Sequence, residues 1–138
     1  MKQIEGLQKA FKESKQVFLT TSNKNGESKT RAMTNYNDSP YEPMWYPSFL
    51  DTQKVKHIKE NPEVIISFPT DEQGKWYKIK GEARLAPWEE VSKNWKWWYL
   101  EWVPEEDRSK FELHYDDPFT NRTIIWIEPI EALIGDSK

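Results

Sequence analysis

The stretch MWYPSFLDTQKVKHIKENPEV, Met44–Val64, opens as a short apolar strand, turns through Ser48, Asp51 and Thr52, and restarts as a basic helix over about residues 52–60. Asn61-Pro62 closes that helix, because proline cannot continue it and restricts the residue before it. EVIISF (63–68) then begins a new strand. Strand, helix and strand in so few residues predict helices inserted among antiparallel strands, not a parallel sheet with repeated crossovers. The helix mouth has two conceivable uses. Asp51 or Thr52 can cap it by accepting hydrogen bonds from the N–H groups that the first turn leaves free. The same N–H groups, at the positive end of the helix dipole, can instead hold a phosphate. Lys54 favours the second use, since a first-turn cation opposes the dipole unless an anion is present. Ser48 and Thr52 can donate hydroxyls to the same oxygens, provided that Asp51 points away. Arg31, on an earlier strand, can add a second cation whose planar fork suits phosphate oxygens. The competing reading makes Arg31 an ordinary solvent-facing residue, because Lys29 and Arg31 alternate with Thr30 and Ala32.

Working outward, residues 3–14 read as a helix with Ile4, Leu7, Ala10 and Phe11 on one face. VFLTTS (17–22) and ESKTRAMTNY (27–36) read as strands joined by NKNG (23–26), a hairpin signal because Asn-Gly tolerates positive φ. Residues 37–43 form a loop, and MWYP (44–47) is a strand placed near an edge by Pro47. DEQG (71–74) is a turn, and KWYKIKGEARL (75–85) alternates Trp76, Lys78 and Lys80 with Tyr77 and Ile79, so that one face is buried. Pro87 opens a longer helix, roughly 88–102, and the charged segment 104–110 has room for one more helical turn. NRTIIWIEPIEALI (121–134) closes the chain as one bent strand or two, broken at Pro129. The sum is an α+β, mainly β, domain spanning 1–138: a small barrel with peripheral helices.

Bulk composition narrows the function. A chain of 138 residues is one domain able to bury its own core. With 23 acidic against 20 basic residues the net charge is -3, so no overall field recruits nucleic acid or an anionic membrane. No apolar run reaches the length of a bilayer span and the N-terminus lacks a signal-peptide core, which makes a cytoplasmic setting the expectation. The absence of cysteine excludes disulfides, thiolate catalysis and Cys-based metal sites, and two histidines, His57 and His114, make a His-rich metal site unexpected.

Eight tryptophans require a core, a subunit interface or a flat ligand. Trp88, Val91, Trp95, Trp98 and Trp102 recur at helical spacing and form one stripe with Tyr99 at its edge, which reads as packing against the barrel or a partner subunit. Trp97 and Leu100 fall on the other side of that helix. Aromatics interleaved with lysine, as in WKWWY, can also stack on bases or sugars, but Glu89, Glu90 and Glu101 in the same segment oppose that use.

The ordered set TRAM, WYPSFLDTQK, VKHIKENPEV and YKIKGEARL resembles the pyridoxamine 5′-phosphate oxidase-like flavoproteins, and among them the short general stress protein 26 branch, over about residues 15–103. The resemblance implies a split β-barrel of about six antiparallel strands, of Greek-key type, that forms a homodimer and holds FMN at the subunit interface. The alternative is a non-catalytic binder of FMN, haem or F420 on the same fold. It further implies that Arg31 and Lys54 pair with the FMN phosphate, that Ser48 and Thr52 donate hydroxyls to it, that Gln53 lies beside it, and that Met33, Pro47 and Trp76 line the ribityl chain or ring edge. Trp97 would stack near the ring. Gln53 replaces an arginine and Tyr36 a lysine of the family pattern, which removes two positive charges. The arginine-rich motif that grips pyridoxal substrates is absent from IIWIEPIEALIGDSK (124–138). The implied activity is therefore electron transfer between a small-molecule donor, such as reduced nicotinamide, and an acceptor, and not vitamin B6 oxidation. The flavin would carry the chemistry while the protein supplies orientation and hydrogen bonds.

Overall fold

The computed structural model describes residues 1–91 and 122–137. Its elements are α1 (Leu7–Glu13), β1 (Gln16–Ser22), β2 (Ser28–Thr34), β3 (Met44–Phe49), α2 (Gln53–Glu60), β4 (Glu63–Pro69), β5 (Trp76–Leu85) and β6 (Arg122–Gly135). Six strands pair in the order β2-β1-β4-β5-β6-β3, every neighbour antiparallel, in a sheet curled into a half-barrel. β1 and β2 form the expected hairpin, and of its turn residues Gly26 takes the positive φ, at 84°. β3 leaves that hairpin and crosses to the far edge, where it pairs with β6 alone, in keeping with Pro47. The exposed side of β3 is not left open: the Asn37 amide accepts from Trp45 N–H and donates to Trp45 C=O, both at 3.0 Å. A side chain thus stands in for a missing strand.

Period-two alternation selects the face that is buried. Val17, Leu19 and Thr21 of β1 are buried, as are Tyr77, Ile79, Gly81 and Ala83 of β5. α1 contributes Leu7 and Phe11 to the same core, with the Phe11 ring edge-on to Phe68 at 5.3 Å. α2 contributes Val55 and Ile58. On the outer face, residues 88–91 are helical, and Val91 packs on Ala86 and Ile124 while Trp88 stays 40% exposed. Trp88 therefore departs from the buried stripe expected of that helix, because it begins the first turn at the rim of the sheet. The rest of the stripe, Trp97 and the 104–110 segment lie outside the described residues.

β6 is one strand, not two. The break expected at Pro129 is a bulge: Lys80 pairs with Glu131 but Gly81 with Pro129, which leaves Ile130 as the extra residue. Gly81 makes this possible. A Cβ there would stand 2.6 Å from Ile127 Cγ2 and 2.8 Å from the Glu128 carbonyl oxygen. Gly81→Ala should destabilise the fold by about 1–3 kcal/mol, the usual cost of overpacking. A urea midpoint unchanged from the parent would show that the bulge can relax.

Candidate functional site

α2 begins a few residues after the edge strand β3 ends and packs on β1, the neighbour of the other edge strand, and on β5. Thr52 has the backbone of an N-cap (φ -87°, ψ 155°) but makes no side-chain cap. Its hydroxyl donates instead to the Phe49 carbonyl at 2.8 Å and lies 3.4 Å from Ser48 Oγ. The cap expected of Thr52 is thus missing: the hydroxyl is turned back to the tight turn after β3, where it donates to the Phe49 carbonyl. The first-turn N–H groups keep no side-chain partner.

Arg31 approaches this mouth from β2. Its Cα pairs with that of Leu19, so its side chain shares the core-facing side of the sheet. The solvent-facing reading of Arg31 is corrected: the side chain is half-buried, and Nη1 donates to Thr21 Oγ1 at 2.8 Å. Nη2 is buried and has no hydrogen-bond partner. Burial lowers the Arg31 pKa from its ordinary value. Lys54 is also lowered, first by burial and then by repulsion from Arg31. Neither cation has a carboxylate partner among the described residues. Two half-buried like charges beside an uncapped helix start make this mouth electropositive, the chemistry an anion would meet there.

The structure gathers Arg31, Ser48, Thr52 and Lys54 at this mouth. Ser48 is only 5% exposed and faces inward opposite Thr123, whose hydroxyl is buried without a partner. Gln53 is the exposed first residue of α2. Met33 lies two residues along β2 from Arg31, half-buried against the core. Pro47 is half-buried on the opposite face of β3 from Ser48. Trp76 is on the outer face of β5, edge-on to Phe18 at 5.6 Å and away from the mouth. Tyr36 stacks on Trp45 at 5.4 Å, and burial raises its pKa.

Three residues at the site escaped the sequence reading: Thr21, His57 and Thr123. Thr21 Oγ1 lies 2.9 Å from His57 Nδ1, and both side chains are buried. A signal was present. Thr21 is a polar residue at an inward position of β1, and His57 follows Lys54 by three, on the same side of α2.

The fold defines a split-barrel protein, with two half-buried cations gathered at an uncapped helix mouth. The chain belongs to the pyridoxamine 5′-phosphate oxidase like family, whose profile matches residues 2–111. Among solved structures it is similar to an F420 reductase, with 22% identity and TM-score 0.65 over 95% of this chain and 98% of that one. The general stress protein 26 of Bacillus anthracis matches with 15% identity and TM-score 0.62, over 97% and 94%. A pyridoxamine 5′-phosphate oxidase-related, FMN-binding protein of Nostoc punctiforme matches with 12% identity and TM-score 0.61, over 87% and 74%. At these identities the likeness concerns the fold. No curated protein matches the chain in sequence.

Lys54 gives a test of the electrostatics. A lysine whose pKa falls on folding binds its proton less readily in the folded chain than in the unfolded one. Stability therefore rises with pH towards the ordinary value of 10.5. Without added anion, Lys54→Met should be more stable than the parent at neutral pH, and this advantage should shrink towards about pH 10. A difference in urea midpoint that does not vary with pH would rule out the repulsion.

Proposed function

We propose that the chain is an FMN-binding flavoprotein, working as a homodimer, that passes electrons between a small-molecule donor and acceptor. The observation that carries this reading is the buried, unpartnered Nη2 of Arg31 beside Lys54 at an uncapped helix mouth. The residues fit a phosphate monoester. Arg31 and Lys54 would neutralise it, the first-turn N–H groups of α2 would donate to it, and the Ser48 and Thr52 hydroxyls would complete its shell. A bound flavin supplies the redox chemistry. The chain's own part is to hold the phosphate, fix the orientation of the cofactor and keep water from one side of it. Residues 124–138 contain no arginine, which argues against a pyridoxal substrate.

Likeness to an F420 reductase supports a second reading, a deazaflavin whose own phosphate occupies the same mouth. Haem has less support. His57 is buried and engaged with Thr21, so it is poorly placed as an axial ligand.

Exposed Ile130, Ile134, Phe49 and Leu50 provide apolar surface for a second copy. A stable dimer should bury upwards of about 2,000 Å², and sedimentation of the flavin-loaded protein as a monomer at micromolar concentration would remove the dimer. For the cofactor, Lys54→Ala and Arg31→Ala should each weaken FMN by roughly ten- to a hundredfold, the worth of a charge-assisted hydrogen bond, while leaving riboflavin affinity nearly unchanged. The parent should take up FMN more tightly than F420. FMN affinity indifferent to both substitutions would sink the phosphate reading, and preference for F420 would select the deazaflavin.

A further inference from the structure

We propose that Thr21 and His57 are positioning residues of the anion site: His57, acting through the Thr21 hydroxyl, fixes the guanidinium of Arg31 so that one of its nitrogens is committed inward and the other stays available to the ligand. The inference rests on the phosphate reading above and goes beyond it to residues that do not touch the phosphate.

The donor inventory fixes the direction of the first hydrogen bond, and the tautomer of His57 sets that of the second. Arginine has five N–H donors and no acceptor, so Thr21 Oγ1 must accept in its 2.8 Å bond with Arg31 Nη1. The Thr21 hydroxyl has a single proton, and the side chain is fully buried. Its other side-chain partner is His57 Nδ1 at 2.9 Å. In the proposed relay this hydroxyl donates to Nδ1, which requires the imidazole hydrogen to lie on Nε2. The chain of donation runs from Arg31 to Thr21 to His57.

This chain constrains Arg31. β2 is an edge strand, and a long side chain on an edge can swing into water. Thr21 holds Nη1 against the inner face instead, and leaves Nη2 without a protein partner. His57 holds Thr21 in turn, from the helix whose first turn carries Lys54. The two cations are thereby fixed from opposite sides of one site, β2 and α2, by a single buried link. If the link served only to seat α2 on β1, its loss would lower stability without changing which ligand is preferred.

The experiment compares FMN and riboflavin affinities by quenching of flavin fluorescence for the parent, Arg31→Ala, Thr21→Val, Thr21→Ser and His57→Leu, with urea midpoints alongside. The parent should prefer FMN. Thr21→Val and His57→Leu should cut that preference about tenfold, the scale of one hydrogen bond to a charged group, with riboflavin affinity held. Thr21→Ser, which keeps the hydroxyl, should restore it. Independently of any ligand, ¹⁵N NMR of the parent at about pH 8.5, above the ordinary imidazole range, should show His57 protonated at Nε2 with Nδ1 as acceptor. A proton on Nδ1 would overturn the proposal. So would a preference that survives Thr21→Val but is lost in Arg31→Ala, since the phosphate site would then stand without the relay. A parent that shows no preference for FMN removes both readings together. Should Thr21→Val fail to fold, the Thr21→Ser titration and the tautomer of the parent still decide.

Discussion

An antiparallel sheet curled into a half-barrel has an apolar inner face and two edge strands, β2 and β3, that its own hydrogen bonds cannot join. α2 answers this constraint, and the site depends on how it does so. Val55 and Ile58 enter the core, which seats the helix by hydrophobic burial. His57, on the adjoining side of the same turn, reaches Thr21 of β1. The N-terminus of α2 follows β3 after a short turn, so the helix starts beside that edge while its body packs on β1, next to the other edge strand. The mouth is rigid on both sides without using its own N–H groups. A threonine cap would have filled it; the hydroxyl is turned to Phe49 instead.

The electrostatics run against the ligand-free fold. Lys54 and Arg31 repel each other, and both lose hydration on folding. Half-burial leaves solvent to screen part of that repulsion, so the cost is tolerable. A dianion reverses its sign, because each cation then gains a partner in a partly desolvated place. The same pair that weakens the free chain would thus strengthen the loaded one, and ligand binding would add to stability by mass action. Gln53 and Tyr36 limit the effect. One is neutral and exposed at the mouth, the other is stacked on Trp45, and neither adds charge.

Much of this was legible in the sequence, for reasons that differ by element. The strands could be read because apolar and polar residues alternate in VFLTTS and KWYKIKGEARL, and the alternation records which face is covered. α2 could be bounded because Asn61-Pro62 terminates a helix by local sterics alone. Pro129 marked an irregularity but not its type, since the bulge depends on Gly81, a residue of the neighbouring strand. The side occupied by Arg31 was illegible because β2 carries only Ala32 and Met33 as apolar residues, too few to show which face is inward; Met33, packed against the core, was the one clue. Whether the Thr52 hydroxyl accepts from the helix N–H groups or turns back to donate to Phe49 depends on its rotamer, which spacing cannot resolve. The link between Thr21 and His57 joins positions 36 apart, and contacts of that range follow from the fold and not from local pattern.

Strand register carries the reasoning one step further. Thr21 lies level with Val64 on β4, and Val64 with Gly81 on β5. Trp76 is five residues further along β5, a displacement of roughly 17 Å at the usual rise of an extended strand, and its ring lies on the outer face with Phe18. A hydrogen-bonded sheet separates it from the helix mouth of its own chain. A ligand whose phosphate lay between Arg31 and Lys54 would start on the opposite face of that sheet from the same chain's Trp76. If Trp76 lines the ribityl chain or ring edge of such a ligand, as the family resemblance implies, a second copy of the chain is the better placed to supply it. The proposed dimer would bring the Trp76 of a second copy to a helix mouth that the first chain's own Trp76 does not face.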